Sequence, residues 1–183
     1  METSETCEIL QIARPHEVTP GLGQQLTECW TTVSNAGGAV IAAEFPLPPL
    51  TTRDVAPVVR QLVEGLDPRR GRLLVATTEG ELAGWLVLRR DPHPLVAHCG
   101  VVNHLQTHTR FRGRGFGAAL MHRVHHIARE EMGLERLNLT ARDGLGLEDF
   151  YRRLGWVETG RRPGVLRVAP GDDRDEILMS RTL

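Results

Sequence analysis

"FRGRGFGAAL", residues 111–120, sets Gly113, Gly115 and Gly117 at alternate positions, with Arg112 and Arg114 interleaved. The stretch passes directly into "GAALMHRVHHIAREEM" (117–132), which reads as a helix with Leu120, Val124, Ile127 and Ala128 on one face. Before it lies a strand-like run, "LVAHCGVVNHLQTH" (95–108). A glycine turn between a strand and a helix aims bare N–H groups and the positive end of the helix dipole into one space. That makes an anion site, with phosphate the usual guest. Glycine lets the backbone take φ > 0 and approach the anion closely. Arg112 and Arg114 add charge-assisted hydrogen bonds.

Outward from the loop, the chain reads as alternating elements without repeats. "EILQIAR" (8–14) alternates as a strand, and residues 20–34 and 51–66 carry helical spacing. Between those helices runs an apolar loop, "NAGGAVIAAEFPLPPL" (35–50), broken by Gly and Pro. "RLLVATTEGELAGWLVLRR" (72–90) reads as two strands turning at Glu79-Gly80. After the central helix come a strand at 136–141, a helix in "LEDFYRRLG" (147–155), and two last strands in "WVETGR" and "DEILMSRTL". The order β-α-α-β-β-β-α-β-α-β-β predicts a mixed α/β fold, a three-strand meander followed by a crossover helix.

Other phosphate loops fit less well. Gly113-x-Gly115-x-x-Ala118, with Glu135 downstream, satisfies the dinucleotide fingerprint in form. That fingerprint belongs on the first strand of a βαβαβ half, whereas several strands precede it here. A P-loop is excluded because the chain has no lysine at all: every one of its 22 basic residues is arginine. A biased genome explains that composition most simply. It also excludes a Schiff-base lysine.

Composition bounds the rest. The 183 residues are 40% hydrophobic and 25% charged, with net charge −1. One domain over 1–183 is the simplest expectation. The neutral balance argues against a nucleic-acid binder, and no apolar run reaches the length of a membrane span. Cys7, Cys29 and Cys99 have no C-x-x-C spacing. With no secretory signal visible, they read as free thiols in a cytoplasmic protein, monomer or homodimer.

"RGRGFGAAL", taken as Arg112-x-x-Gly115-x-Gly117, resembles the Q/R-x-x-G-x-G/A acetyl-CoA loop of the GNAT acetyltransferase superfamily. "LEDFYRRLGWVETGRRPG" (147–164) resembles that family's A-x-x-F-Y-x-x-x-G-F segment, in the right order downstream. The likeness implies a GNAT fold: a central mixed sheet of about seven strands flanked by about four helices. It implies acetyl-CoA as donor, no metal, and an amine as acceptor. A looser likeness of the 35–45 loop and of the C-terminal tail is to the tabtoxin-resistance type. That implies a small-molecule acceptor such as an antibiotic or toxin. A protein or peptide N-acetyltransferase, or a non-catalytic acyl-CoA-binding domain, remain the alternatives.

The resemblance also distributes roles. Backbone groups of Leu105, Gln106 and Thr107 would meet the acetyl and pantetheine end. Arg112, Gly113, Arg114, Gly115, Phe116, Gly117 and Ala118 would cradle the pyrophosphate. Tyr151, the chain's single tyrosine, falls on the family's thiolate-facing position. A phenol is a weaker acid than a thiol, so it is read as a hydrogen-bond donor to sulfur, completing transfer only if its pKa is depressed.

The base is not given by the resemblance. The family's strand carries an acidic residue and a proline where this chain has Val101 and Thr109. An ammonium must lose its proton before it attacks, and His104, titrating near neutrality, is the first candidate. Glu44 is the runner-up. Trp30 and Glu44 are the candidates for contact with the acceptor. Strand alternation predicts His98, His104 and Gln106 on one face of the strand, with Val101, Asn103, Leu105 and Thr107 on the other. His122, His125 and His126 could hold a metal at i, i+3, i+4, but a solvated face is the preferred reading. "RRPG" and "PGDDRDE" either line the acceptor mouth or form a solvated hairpin.

Overall fold

The computed structural model describes residues 7–38 and 46–183. Strand β1 (Glu8–Ile12) leads into helix α1 (Pro20–Asn35). Thr19 caps α1, its side chain accepting from Leu22 N–H at 3.2 Å, and Pro20 opens the first turn where no donor is needed. Helix α2 (Thr52–Glu64) starts with a capping box in which Thr51 N–H donates to the Asp54 carboxylate at 2.7 Å. The Asn35 side chain ties the two helices together, donating to Leu50 C=O at 2.8 Å and accepting from Leu50 N–H at 2.7 Å.

Then follow β2 (Gly71–Thr78), β3 (Glu81–Arg90) and β4 (Cys99–Thr107). Glu79 and Gly80, both with positive φ, make the predicted tight turn between β2 and β3. The remaining elements are α3 (Phe116–His126, continued by a π-turn at Ile127–Glu131), β5 (Arg136–Arg142), α4 (Leu147–Arg153), β6 (Val157–Ala169) and β7 (Asp172–Thr182). The seven strands form one sheet in the order β1-β2-β3-β4-β5-β7-β6. The expected mixed α/β fold is present, with seven strands and four α-helices among the described residues. Among the described residues no helix is long and apolar enough to cross a membrane.

Two cores sandwich the sheet. On one face Trp30, Val33, Val55 and Val59 pack on Leu73, Val75, Trp85 and Val87. On the other, Leu120, Met121, Val124 and Ile127 of α3 cover Leu74, Leu86, Leu88 and Val102. All four residues of the predicted α3 stripe are fully buried.

Two boundaries differ from the sequence reading. Strand β4 begins at Cys99, because 94–98 is a turn. The last hairpin is much longer than expected, since β6 and β7 extend to Ala169 and Asp172. Its outer half buries little, so no apolar alternation marks it. Arg162 instead stands opposite Glu176, and Arg167 opposite Asp173, and both pairs are bonded as ions.

Candidate active site

The parallel pairing of β4 with β5 covers Cys99, Gly100 and Val101 against Arg136, Leu137 and Asn138, and stops there. Beyond it the two strands part. A bulge in β4 shapes the opening. Trp85 pairs with Gln106 and Val87 with Asn103, so His104 and Leu105 together oppose the one residue Leu86. His104 takes φ +61, a left-handed conformation uncommon for a side chain of its size.

The bulge reverses the parity of the strand. Val102 packs in the α3 core, and Leu105 packs against that same core. His104 turns to the α1 face, its ring 4.8 Å from Trp30 and 5.7 Å from Trp85 between centroids. Gln106 shares that face through its pairing with Trp85, as does Asn103 through Val87. The uninterrupted alternation expected from the sequence is therefore corrected: Asn103 lies with His104 and Gln106, and His98 precedes the strand.

On the α3 face a cavity of about 720 Å³ opens between β4 and α4, lined by Leu105, Gln106 and Thr107, by the 111–118 loop, and by Leu147, Phe150 and Tyr151. Gly113 (φ +78) and Gly115 (φ +85) hold the loop in the left-handed region, and Gly115 is the N-cap of α3. The first helical bond runs from Ala119 N–H to Gly115 C=O, leaving the N–H groups of Phe116, Gly117 and Ala118 without helical acceptors. Gly117 is an ordinary helical residue: a Cβ there would touch the Phe150 ring and Thr107 Oγ1 at 3.5 Å. Arg112 lines the cavity. Arg114 stacks instead on Phe111, with Cζ 5.5 Å from the ring centroid.

Two buried residues border this space, Tyr151 from α4 and Gln106 on β4, whose side chain turns to the α1 face. Gln106 is 4% exposed, and among the described residues neither atom of its amide has a hydrogen-bond partner. Buried amides are nearly always bonded, which makes the Gln106 amide an exception at the strand between the two faces. Burial pushes the Tyr151 phenol well above its ordinary pKa. Its proton therefore stays on at neutral pH, which leaves donation as its chemistry. At the near end, Arg142 at the end of β5 donates to the carbonyls of Gly37 and Gly38 and fixes the last turn of α1 against the cavity.

A second cavity, of about 650 Å³, lies on the other face of β4 beneath α2, and both His104 and Trp30 line it. Trp30 is fully buried behind His104. Burial, and then the charge of Arg89, hold His104 at about 4 rather than near neutrality. It is neutral at pH 7, and among the described residues its buried Nδ1 has no partner.

Of the residues singled out in the sequence, Leu105–Thr107, Arg112, Gly113, Gly115–Ala118 and Tyr151 come together at the first cavity. His104 and Trp30 meet at the second. Glu44 lies outside the described residues. His125 is buried, not solvated, and its Nε2 accepts from Trp156 Nε1 at 3.1 Å. Among the described residues no group of three or more His, Cys, Asp or Glu side chains could hold a metal. The sequence reading gave no role to Arg89, Gln61 or the Gly37–Gly38 turn, which line the two cavities.

The profile of the acetyltransferase (GNAT) family matches residues 41–156, more than half of the chain. The chain belongs to that family, whose members are N-acetyltransferases working from acetyl-CoA. No curated protein matches the sequence. Solved structures share the fold at low identity. A candidate phosphinothricin N-acetyltransferase superposes with a TM-score of 0.76 at 20% identity, covering 96% of this chain and 99% of its own. The ribosomal-protein-alanine N-acetyltransferase of Brucella melitensis reaches 0.72 at 18%, covering 96% and 99%. The candidate acetyltransferase yncA of Salmonella typhimurium, solved with its cofactor acetyl-CoA, reaches 0.71 at 16%, covering 97% and 94%.

The site fits that donor. N–H groups without helical acceptors at the start of α3, two left-handed glycines and Arg112 suit a pyrophosphate.

Proposed function

We propose that the chain, as one domain, acetylates the amine of a small molecule, of the antibiotic or toxin kind. The observation that carries this reading is the second cavity, whose roughly 650 Å³ is the size of a small-molecule site. It lies across β4 from the 111–118 loop, so donor and acceptor approach one strand from opposite faces. The likeness to a candidate phosphinothricin N-acetyltransferase supports it.

Acetyl-CoA, when bound, supplies the acetyl group as a thioester whose C–S bond breaks as the amine's N–C bond forms. The loop residues Arg112, Gly113, Gly115 and Phe116 hold the phosphates. Leu105–Thr107 offer backbone groups along an edge of β4 that β5 has left. Tyr151 donates its hydroxyl proton in a hydrogen bond at the sulfur. His104, neutral at pH 7, accepts the proton that the ammonium sheds. With a pKa of about 4 it is a weak acceptor, so it passes the proton on to solvent. Holding two reactants on one strand supplies much of the rate.

The test is coenzyme A release over a panel of small amines and N-terminal peptides, beside calorimetry of acetyl-CoA. Turnover of small amines supports the reading. Turnover of peptides alone favours the protein acceptor of the Brucella neighbour, and binding without turnover favours a non-catalytic acyl-CoA module.

A further inference from the structure

The cavity beneath α2 has a one-sided charge. Among the described residues Arg70, Arg89 and Arg90 line it, and no aspartate or glutamate does. Two of these arginines are engaged elsewhere. The Arg90 guanidinium donates to the Met132 carbonyl on the α3 face of the sheet. Arg70, 60% exposed, lies 4.0 Å from Asp67, which also pairs with Arg69. Among the described residues the Arg89 side chain has neither an ion pair nor a hydrogen bond. Elsewhere, by contrast, Arg161 alone meets four carboxylates, those of Asp143, Glu148, Glu158 and Asp175.

The rest of the wall is apolar or neutral. Trp30, Leu62 and Val87 supply hydrocarbon and ring surface, with Gln61 and His104 the neutral polar groups. A cation left unpaired in such a box repels a simple alkylammonium. An acceptor that brings its own anion turns the repulsion into attraction.

We propose that this cavity is the acceptor pocket and that Arg89 makes it select small amines carrying a carboxylate or a similar compact anion. This rests on the acetyl-transfer reading above and names its substrate class. The anion pairs with the Arg89 guanidinium in a fork geometry, and the hydrocarbon part lies against Trp30 and Leu62. The amine is then left toward His104, which lies close enough to Arg89 to feel its charge. A compact acceptor, with amine and anion on neighbouring carbons, reaches both.

The test compares α-amino carboxylates with their primary amides, which keep the amine and lose the anion. Calorimetry on protein saturated with coenzyme A measures binding, and coenzyme A release from acetyl-CoA measures turnover. In the wild type the acids bind and turn over better than the amides by roughly 10- to 100-fold, the range of one charge-assisted contact. Arg89→Gln erases the preference through KM, Arg89→Lys keeps part of it, and Arg89→Glu reverses it. Arg89 is an exposed residue at the end of β3, so melting temperature and acetyl-CoA affinity stay at wild-type values and report an intact fold. Equal binding of acids and amides, or a preference that survives in Arg89→Gln, overturns the proposal. Release of coenzyme A with none of the amines overturns the acetyl-transfer reading instead, while calorimetry still decides whether the pocket takes the anion.

Discussion

Trp156 donates a 3.1 Å hydrogen bond from Nε1 to Nε2 of His125, joining the residues that follow α4 to the buried side of α3. The bond needs a lone pair on Nε2, so His125 is neutral with its proton on Nδ1. Burial first, then the charges of Arg181 and His122, hold its pKa at about 4.

A pH dependence of stability follows. The folded pKa lies below the ordinary histidine value, so the contribution is complete above about pH 6.5 and is lost as pH falls toward 4. His104 adds a loss of the same sign in the same window. Between pH 6.5 and 5 each should cost about 1.4 kcal/mol per pH unit at most. His125→Gln keeps an acceptor and cannot titrate. Its melting temperature should stay near wild type at pH 7.5 and fall less steeply below 6.5. An acid slope equal to that of the wild type would show that His125 does not couple to folding.

At the loop, Gly115→Val should weaken acetyl-CoA binding without unfolding the protein. Nothing lies within 4 Å of a Cβ placed there, so the penalty is the φ of +85 and not a clash. A forced left-handed residue costs roughly 1–2 kcal/mol. Arg112→Ala should lose about 1.5–3 kcal/mol of affinity, the range of a charged hydrogen bond. Calorimetry checks both, and unchanged affinity in both variants would remove the phosphate cradle.

Tyr151→Phe keeps the ring that packs edge-on to Phe150 and Trp156. It should lower kcat and kcat/KM together by roughly ten- to a thousand-fold, with acetyl-CoA affinity nearly unchanged. No limb of the pH profile below about 10 should belong to Tyr151, because burial raises its pKa. A wild-type rate in the variant would make the residue structural.

Gln106→Met tests the orphaned amide. Removing two buried, unpartnered polar atoms should raise the stability of the unliganded protein by roughly 1 kcal/mol. The same change should weaken binding of acetyl-CoA or of the acceptor, whichever the amide meets. A melting temperature that falls in the variant would mean that the amide is satisfied within the protein.

Much of this was legible in the residues. The glycine spacing at 113–117 and the Phe150-Tyr151 pair mark the donor cavity because phosphate contact and ring packing demand particular residue types. Periodicity found α3 because one of its faces is buried. It failed at β4, where the bulge is a backbone event with no residue signature: His104 is not a glycine. It failed at β6 and β7 because cross-strand ion pairs stabilise a hairpin without alternation. Arg89 was hidden among 22 arginines, since only the fold shows which of them line the second cavity.

The additional residue at His104 also bears on how such a site diverges. Upstream of it even-numbered positions of β4 face α3, and downstream odd-numbered ones do. Point substitutions alter what each compartment contains but never which compartment a position serves. Straightening the bulge with every residue kept would exchange the downstream walls, carrying Leu105 to the α1 side, whereas deleting one residue at 103–104 would remove the bulge and leave those walls in place. The bulge thus fixes which compartment each position serves, and specificity varies within a compartment through side chains such as Arg89.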